Sequence, residues 1–292
     1  MTGWPWTGAS APVQDVMPDG RPWPRISLVT PAFNQGAYLE QALRSVLLQG
    51  YPRLELIVMD GGSSDGTRAV LERYSPWLAY WVSQPDKGPA SALNDGFRHA
   101  TGDIYGFLNA DDFLLDGSLA RVAAEMSAHP EADVVSGHGY FASEDGALGM
   151  PTYSDRWNFT RFRYGACVLL QPATFFRAAA FERVNGFRER ASTVWDMELW
   201  ADMAESGARF HLVDVFMAAF RLHAGSITGG TENRERRVSD ALAVMERLRG
   251  HPENAWDRAL HLVHRLAKVS SPPGRTIRQR LYFHSTLRRW SL

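Results

Sequence analysis

The chain has 292 residues, one cysteine and a formal net charge of −1. Apolar residues are 45% of it and aromatic residues 12%, enough for a sizeable core, so wholesale disorder is excluded. The near-neutral charge argues against a protein that coats nucleic acid, and no stretch approaches the roughly 18 uninterrupted apolar residues of a membrane span.

The first 24 residues hold five prolines and three tryptophans, and predict an irregular arm packed on the surface. Ile26–Thr30, an apolar run stopped by Pro31, predicts a buried strand. Ala37–Gln49 follows with Tyr38, Leu39, Ala42, Leu43, Val46 and Leu47 at helical spacing. Leu54–Asp60 predicts a strand, Asp65–Tyr74 a helix capped by Ser64 or Asp65, and Leu78–Ser83 a third strand. Pro89–Ala100 predicts a helix, Ile104–Leu108 a strand, Asp116–Ala128 a helix and Asp133–Phe141 a strand. Strands and helices alternating over short connections predict an α/β fold, with a mostly parallel sheet covered by helices on both faces. After Met150 the rhythm changes. Tyr153–Tyr164 reads as an aromatic, charged loop, Arg177–Val184 and Val194–Ser206 as helices, and Phe210–Phe220 as a strand or strand pair. Thr231–Arg249, Asn254–Lys268 and, beyond Pro272-Pro273-Gly274, Arg275–Trp290 read as helices.

Met1–Arg25 has no apolar stretch resembling a signal peptide, and Cys167 alone allows neither an internal disulfide nor a cysteine-based zinc site. A soluble protein of the reducing cytoplasm is expected. Charge is uneven: Trp256–Leu292 carries eight Lys/Arg against one Asp, among Leu260, Leu262, Val263, Leu266 and other apolar residues. Two readings stand. The basic helices either close the fold against the acidic remainder or touch an anionic inner membrane face peripherally.

In an open parallel sheet, ligands bind beyond the carboxyl ends of the strands. Those ends deliver Thr30-Pro31-Ala32-Phe33-Asn34, then Asp60-Gly61-Gly62-Ser63-Ser64-Asp65-Gly66-Thr67, then Gln84-Pro85-Asp86-Lys87-Gly88, then Asn109-Ala110-Asp111-Asp112. Acids converging on one edge repel unless a cation or donors compensate, and a hard divalent metal would do so. The glycine loop is neither G-x-G-x-x-G nor a P-loop, since Thr67 stands where the P-loop lysine is required. Gly62–Gly66 does fit G-x-S-x-G, and Asp196 and His223 follow in hydrolase order, so an esterase built on Ser64, Asp196 and His223 is the competing reading.

Taken together, in this order and at this spacing, the four motifs resemble family 2 inverting glycosyltransferases over about Ile26–Thr228. The Pro-Asp-Lys-Gly and Asn-Ala-Asp-Asp forms resemble the subgroup linked to bacterial exopolysaccharide assembly, such as colanic-acid enzymes. The resemblance implies a GT-A fold, a nucleotide-sugar donor and Mn²⁺ or Mg²⁺. It further implies an arm over 1–24, a catalytic domain over 25–230 with a nucleotide-sugar half (25–115) and an acceptor half (116–230), and a C-terminal helical extension over 231–292.

By the same resemblance Thr30, Pro31, Asn34, Asp60, Asp86, Lys87, Gly88 and Asn94 serve the donor, with Asp60 at the nucleotide base. Asn109-Ala110-Asp111 occupies the D-x-D position with Asn for the first Asp. Asn109 then lies near the ribose, while Asp111, Asp112 and the late His223 are the metal residues. Asp196 matches the general base, although Trp195 replaces the expected Glu before it. Independently of the resemblance, the aromatic and arginine-rich Tyr153–Tyr164 suits sugar stacking and phosphate pairing, so Trp157 and Arg161 are expected at the acceptor, together with Gln171 and Trp195. The reaction implied is a single displacement with inversion. One carboxylate assists the acceptor hydroxyl, whereas a glycosidase would need paired acids flanking the bond. UDP is the expected donor nucleotide, with GDP and dTDP as alternatives, and the acceptor is a saccharide or lipid-linked saccharide. A non-catalytic nucleotide-sugar-binding relative is the remaining alternative.

Overall fold

The computed structural model describes Gly8 and residues 13–190, 192–228 and 233–269; the basic helix expected at Arg275–Trp290 lies outside the described residues. Its centre is a nine-stranded sheet. Strands β1 (Ile26–Ala32), β2 (Leu54–Asp60), β3 (Tyr80–Ser83) and β4 (Ile104–Phe107) form a parallel block in the order β3-β2-β1-β4. The sheet continues through β8 (Thr174–Arg177), β6 (Val134–Ala142) and β9 (Phe210–Arg221) to β5 (Phe113–Leu114), and β7 (Leu148–Thr152) pairs with β6. β8 runs antiparallel to both β4 and β6, whereas the long β6–β9 pair is parallel, so most paired residues lie in parallel ladders.

Alternation along β1 explains the layers. Ile26, Leu28 and Ala32 face one core, which holds Leu39, Ala42, Leu43 and Val46 of α1 (Gly36–Leu47), Val70 and Leu71 of α2 (Thr67–Tyr74), and Leu119 and Val122 of α4 (Ser118–Ala128). Val29 faces the other, with Leu93 and Phe97 of α3 (Pro89–Phe97), Phe181 of α6 (Ala178–Arg183), and Leu199 and Trp200 of α7 (Trp195–Glu205). Val244 and Leu248 of α8 (Arg234–Arg249) are buried in this second core too. Helices therefore cover both faces, as expected of the fold class. Gly96 sets the α3–sheet distance: a Cβ there would stand 2.5 Å from Val29 Cγ1.

Three differences from the expected elements have local causes. β1 runs through Pro31 to Ala32. The Val29 carbonyl takes the Leu108 N–H, so Pro31, two residues on, faces the same side, where the β4 ladder has already ended. Its missing N–H costs no ladder bond. The strands β5, β7 and β8 are two to five residues long, too short for a periodic signal. Tyr153–Tyr164 is not all loop, because Asn158 Oδ1 accepts the Arg161 N–H at 2.8 Å and caps a short helix, α5 (Phe159–Arg163). Of the N-terminal arm, Met17 and Trp23 are buried, with Trp23 edge-on to Tyr51 at 5.5 Å.

Candidate active site

The carboxyl ends of β1, β2 and β3 carry loops that hydrogen bonds join to one another. Asn34, at φ +53, donates its backbone N–H to Ser63 Oγ at 2.7 Å, and its side-chain oxygen accepts the Ser64 N–H at 2.9 Å. Asp60, buried at the end of β2, accepts the Ser63 N–H at 3.1 Å, the Ser63 hydroxyl, and the Ser83 hydroxyl at 2.6 Å. Asp86 accepts the Gly88 N–H at 2.7 Å and folds over Gly61, where a Cβ would stand 2.9 Å from its Oδ2. Lys87 is exposed on the same loop. Thr30, by contrast, is buried, and its hydroxyl has no partner among the described residues. The sequence reading passed over Phe33, which is 61% exposed at the end of β1, beside Gly61. An aromatic side chain left open at the edge of three polar loops was the available signal.

Beyond β4 stands a second group. Asp111 Oδ2 is 3.0 Å from His223 Nε2, and the His223 ring lies against Tyr38 with centroids 4.5 Å apart. Asp112 does not share this pair as a ligand. It is buried, and its Oδ1 accepts the backbone N–H of Arg221 at 2.9 Å. Burial, and then the charge of Asp111, push its carboxyl well above the ordinary carboxylate range. Asn109 donates to Gln171 Oε1 at 3.1 Å, and Gln171 in turn donates to the Phe107 carbonyl at 2.7 Å. Gln171, expected at the acceptor, is thus a buried buttress of Asn109. Arg221, 2% exposed, organises the whole group: it donates to the Asp111 carbonyl at 2.7 Å and the Glu144 carbonyl at 2.7 Å, and lies over the Tyr38 ring. The sequence reading missed it as a functional residue.

Asp196 sits half-buried in the first turn of α7. Burial raises its carboxyl above the ordinary range, although its own and the Met197 backbone N–H pull the other way. Glu198 points elsewhere, buried and paired with Arg190 Nε at 2.8 Å. Glu198 Oε2 and the indole N–H groups of Trp195 and Trp200 have no partner among the described residues. Asn94, expected at the donor, instead accepts the Phe187 N–H at 2.8 Å and donates to the Phe187 carbonyl at 2.9 Å, fixing the segment that leads to α7.

Two sequence expectations fail here. Trp157 does not join the acceptor residues: its ring stacks on Phe210 at 4.0 Å and 11°, and Phe210 is the first residue of β9, the end opposite Arg221. Arg161 lies on α5 in the same segment. The esterase triad is not assembled either, because His223 Nε2 is taken by Asp111 and Ser64 is not in the positive-φ conformation of a strained nucleophile elbow.

Asp111 and His223 offer one carboxylate oxygen and one imidazole nitrogen on an edge lined by polar loops. That set suits Mn²⁺ or a related ion completed by phosphate oxygens and water. Among the described residues, the three-residue group close enough to share an ion lies elsewhere, at Glu125, His129 and His211.

Residues 27–183 match the sequence model of the family described as Glycosyl transferase family 2, more than half of the chain. The chain belongs to this family. An uncharacterized glycosyltransferase of Mycobacterium tuberculosis is 33% identical over 168 residues, 56% of this chain and 63% of its own length. The match thus spans under two thirds of that relative. The GalNAc(5)-diNAcBac-PP-undecaprenol beta-1,3-glucosyltransferase of Campylobacter jejuni is 38% identical over 113 residues, 36% of this chain and 37% of its own. Among solved structures, S. aureus TarS 1-349 with UDP-GlcNAc superimposes at a TM-score of 0.62 and 18% identity, over 85% of this chain and 73% of that one. The mannosyltransferase PcManGT from Pyrobaculum calidifontis, with GDP-Man and Mn²⁺, gives 0.61 and 20%, over 92% and 86%. At these identities the likeness is one of fold, and the family 2 chain described here has the same GT-A architecture.

Proposed function

We propose that this chain is an inverting glycosyltransferase that moves a sugar from a nucleotide-diphosphate sugar to a hydroxyl of a saccharide or lipid-linked acceptor, in surface polysaccharide assembly. The observation that carries the reading is the Asp111–His223 pair, 3.0 Å apart, at the strand edge where the three donor-side loops meet. On this reading residues 25–115 hold the donor, 116–230 the acceptor, and 231–292 extend the catalytic domain.

The donor lies across the loops of Asn34, Asp60 and Asp86, with Phe33 offering an exposed aromatic face to its base. Asp111 and His223 hold Mn²⁺ or Mg²⁺, which when bound neutralises charge on the departing diphosphate. Asp196 takes the proton of the acceptor hydroxyl as that oxygen bonds to the anomeric carbon and the bond to the nucleoside diphosphate breaks. A raised carboxyl suits this, because a base poised nearer neutrality accepts a proton more readily. No second carboxylate nucleophile is required.

A lipid-linked acceptor is favoured by the outer face of α9 (Ala255–Val269). Trp256, Leu260, Val263 and Leu266 form an exposed apolar stripe there, with Trp256 79% exposed and Arg258 and Arg265 on the same helix. Such a helix can lie in a bilayer interface; no helix among the described residues is long and apolar enough to cross a membrane. Purified protein is to be tested with Mn²⁺ against UDP-, GDP- and dTDP-sugars by thermal shift and nucleotide release. Stabilisation by one donor class, UDP-sugars on this reading, supports the assignment; indifference to all three overturns it.

A further inference from the structure

At the end of the sheet opposite the donor loops, α4 and β9 bring three ligand-type side chains together. Glu125 lies in the last turn of α4, His129 is four residues on and caps that helix, and His211 is the second residue of β9. The Nε2 atoms of His129 and His211 stand 3.8 and 3.6 Å from the same oxygen, Glu125 Oε2. The other Glu125 oxygen faces Arg121 at 3.4 Å. His129 Nδ1 is 3.3 Å from Glu131, and the two imidazoles stack with centroids 3.9 Å apart.

The 3.8 and 3.6 Å separations of the two imidazoles from Glu125 Oε2 are too long for direct hydrogen bonds, which fall at about 2.7–3.2 Å. They approach the ligand–ligand edge of a tetrahedral site, roughly 3.4 Å for bonds of about 2.0–2.1 Å. We propose that Glu125, His129 and His211 form a structural site for a borderline divalent cation of the Zn²⁺ class, separate from the donor-side ion. Two imidazoles and one carboxylate are poor ligands for Mg²⁺ or Ca²⁺ and good ones for Zn²⁺. Glu131 supplies the outer carboxylate that fixes the His129 tautomer, Nδ1–H toward Glu131 and Nε2 toward the ion. All three side chains are half-buried, which leaves a fourth position for water.

The ion would clamp the C-terminus of α4 to the start of β9, beside the point where the Asp133 and Val134 N–H groups, leading into β6, donate to the Arg209 carbonyl just before β9. β9 carries Arg221 at its other end, so the clamp would steady the strand that positions Asp111 and Asp112.

The test uses the full chain, stripped with chelator, carrying His223→Ala so that the donor edge contributes no imidazole. Zn²⁺ is expected to bind at one equivalent and raise Tm by several degrees, with Mg²⁺ giving neither effect. Co²⁺ should show the visible absorption of a tetrahedral site. Adding His211→Gln, or separately His129→Gln, should abolish all three signals while leaving the far-UV spectrum unchanged. Zn²⁺ binding and stabilisation that persist undiminished in both glutamine variants would overturn the proposal, as would their absence from the parent chain.

Discussion

Thr193 donates both its backbone N–H and its hydroxyl to one oxygen of Asp240, at 2.8 and 2.7 Å. Asp240 is on α8, and Thr193 lies three residues before Asp196. With Asn94 gripping Phe187, this contact fixes the approach to the first turn of α7 from a second side.

Asp240→Ala should therefore act on Asp196 without touching substrate. It should cost about 1–3 kcal/mol in denaturant unfolding, from two lost charge-assisted bonds, and lower kcat more than the donor KM. Burial opposes ionisation of Asp240, but the Thr193 bonds prevail and hold its carboxyl below the ordinary range. Its contribution is present at neutral pH and disappears as pH falls from about 3.9, the unfolded value, through the lowered native value. The gap in stability between wild type and Asp240→Ala should close over that acid window. An unchanged kcat would detach Asp240 from the catalytic segment.

Asp196 has the opposite sign. Its carboxyl is raised by burial, so the native state holds the proton more tightly than the unfolded chain, and stability falls as pH rises from about 3.9, the unfolded value, through the raised native value. Asp196→Asn should raise Tm at neutral pH, with the advantage fading below about pH 3.9. The same substitution should lower turnover about 10²–10⁴-fold, leaving donor affinity nearly intact. Wild-type turnover should decline on the acid side as Asp196 protonates. A variant that binds donor poorly but turns over normally would move Asp196 out of the base role.

Arg221 is buried with two carboxylates and several carbonyls around it. Arg221→Met should cost about 3–5 kcal/mol, the penalty for breaking a buried charged network by removing one partner. Arg221→Lys should recover little, since an ammonium cannot reproduce the planar fork. Chemical denaturation of both variants checks this.

The parallel half of the sheet was legible because β1, β2 and β4 are apolar runs closed by polar turns. The same runs told which residues follow the carboxyl ends of the strands, and Asp60, Asp86, Asn109 and Asp111 all lie there. Sequence position did not tell which way each side chain turns. Asn94, Asp112 and Gln171 lie near the edge yet face inward, each held by a backbone partner from a distant segment. Trp157 looked like a sugar-stacking face among arginines, but its partner Phe210 is 53 residues away and could not be foreseen. Trp157→Ala is accordingly expected to destabilise by up to about 3–5 kcal/mol and to leave the acceptor KM unchanged.

Donor turnover in matched variants decides whether sugar transfer takes place at the Asp111–His223 edge. Release of nucleoside diphosphate is to be followed with Mn²⁺ and the donor found by the nucleotide-sugar panel, in wild type, Asp111→Ala and His223→Ala. Wild type should transfer sugar and stop in EDTA, Asp111→Ala should show no transfer and no Mn²⁺-dependent donor binding, and His223→Ala should require more Mn²⁺. Full wild-type turnover in Asp111→Ala, or in excess EDTA, would contradict transfer at that edge.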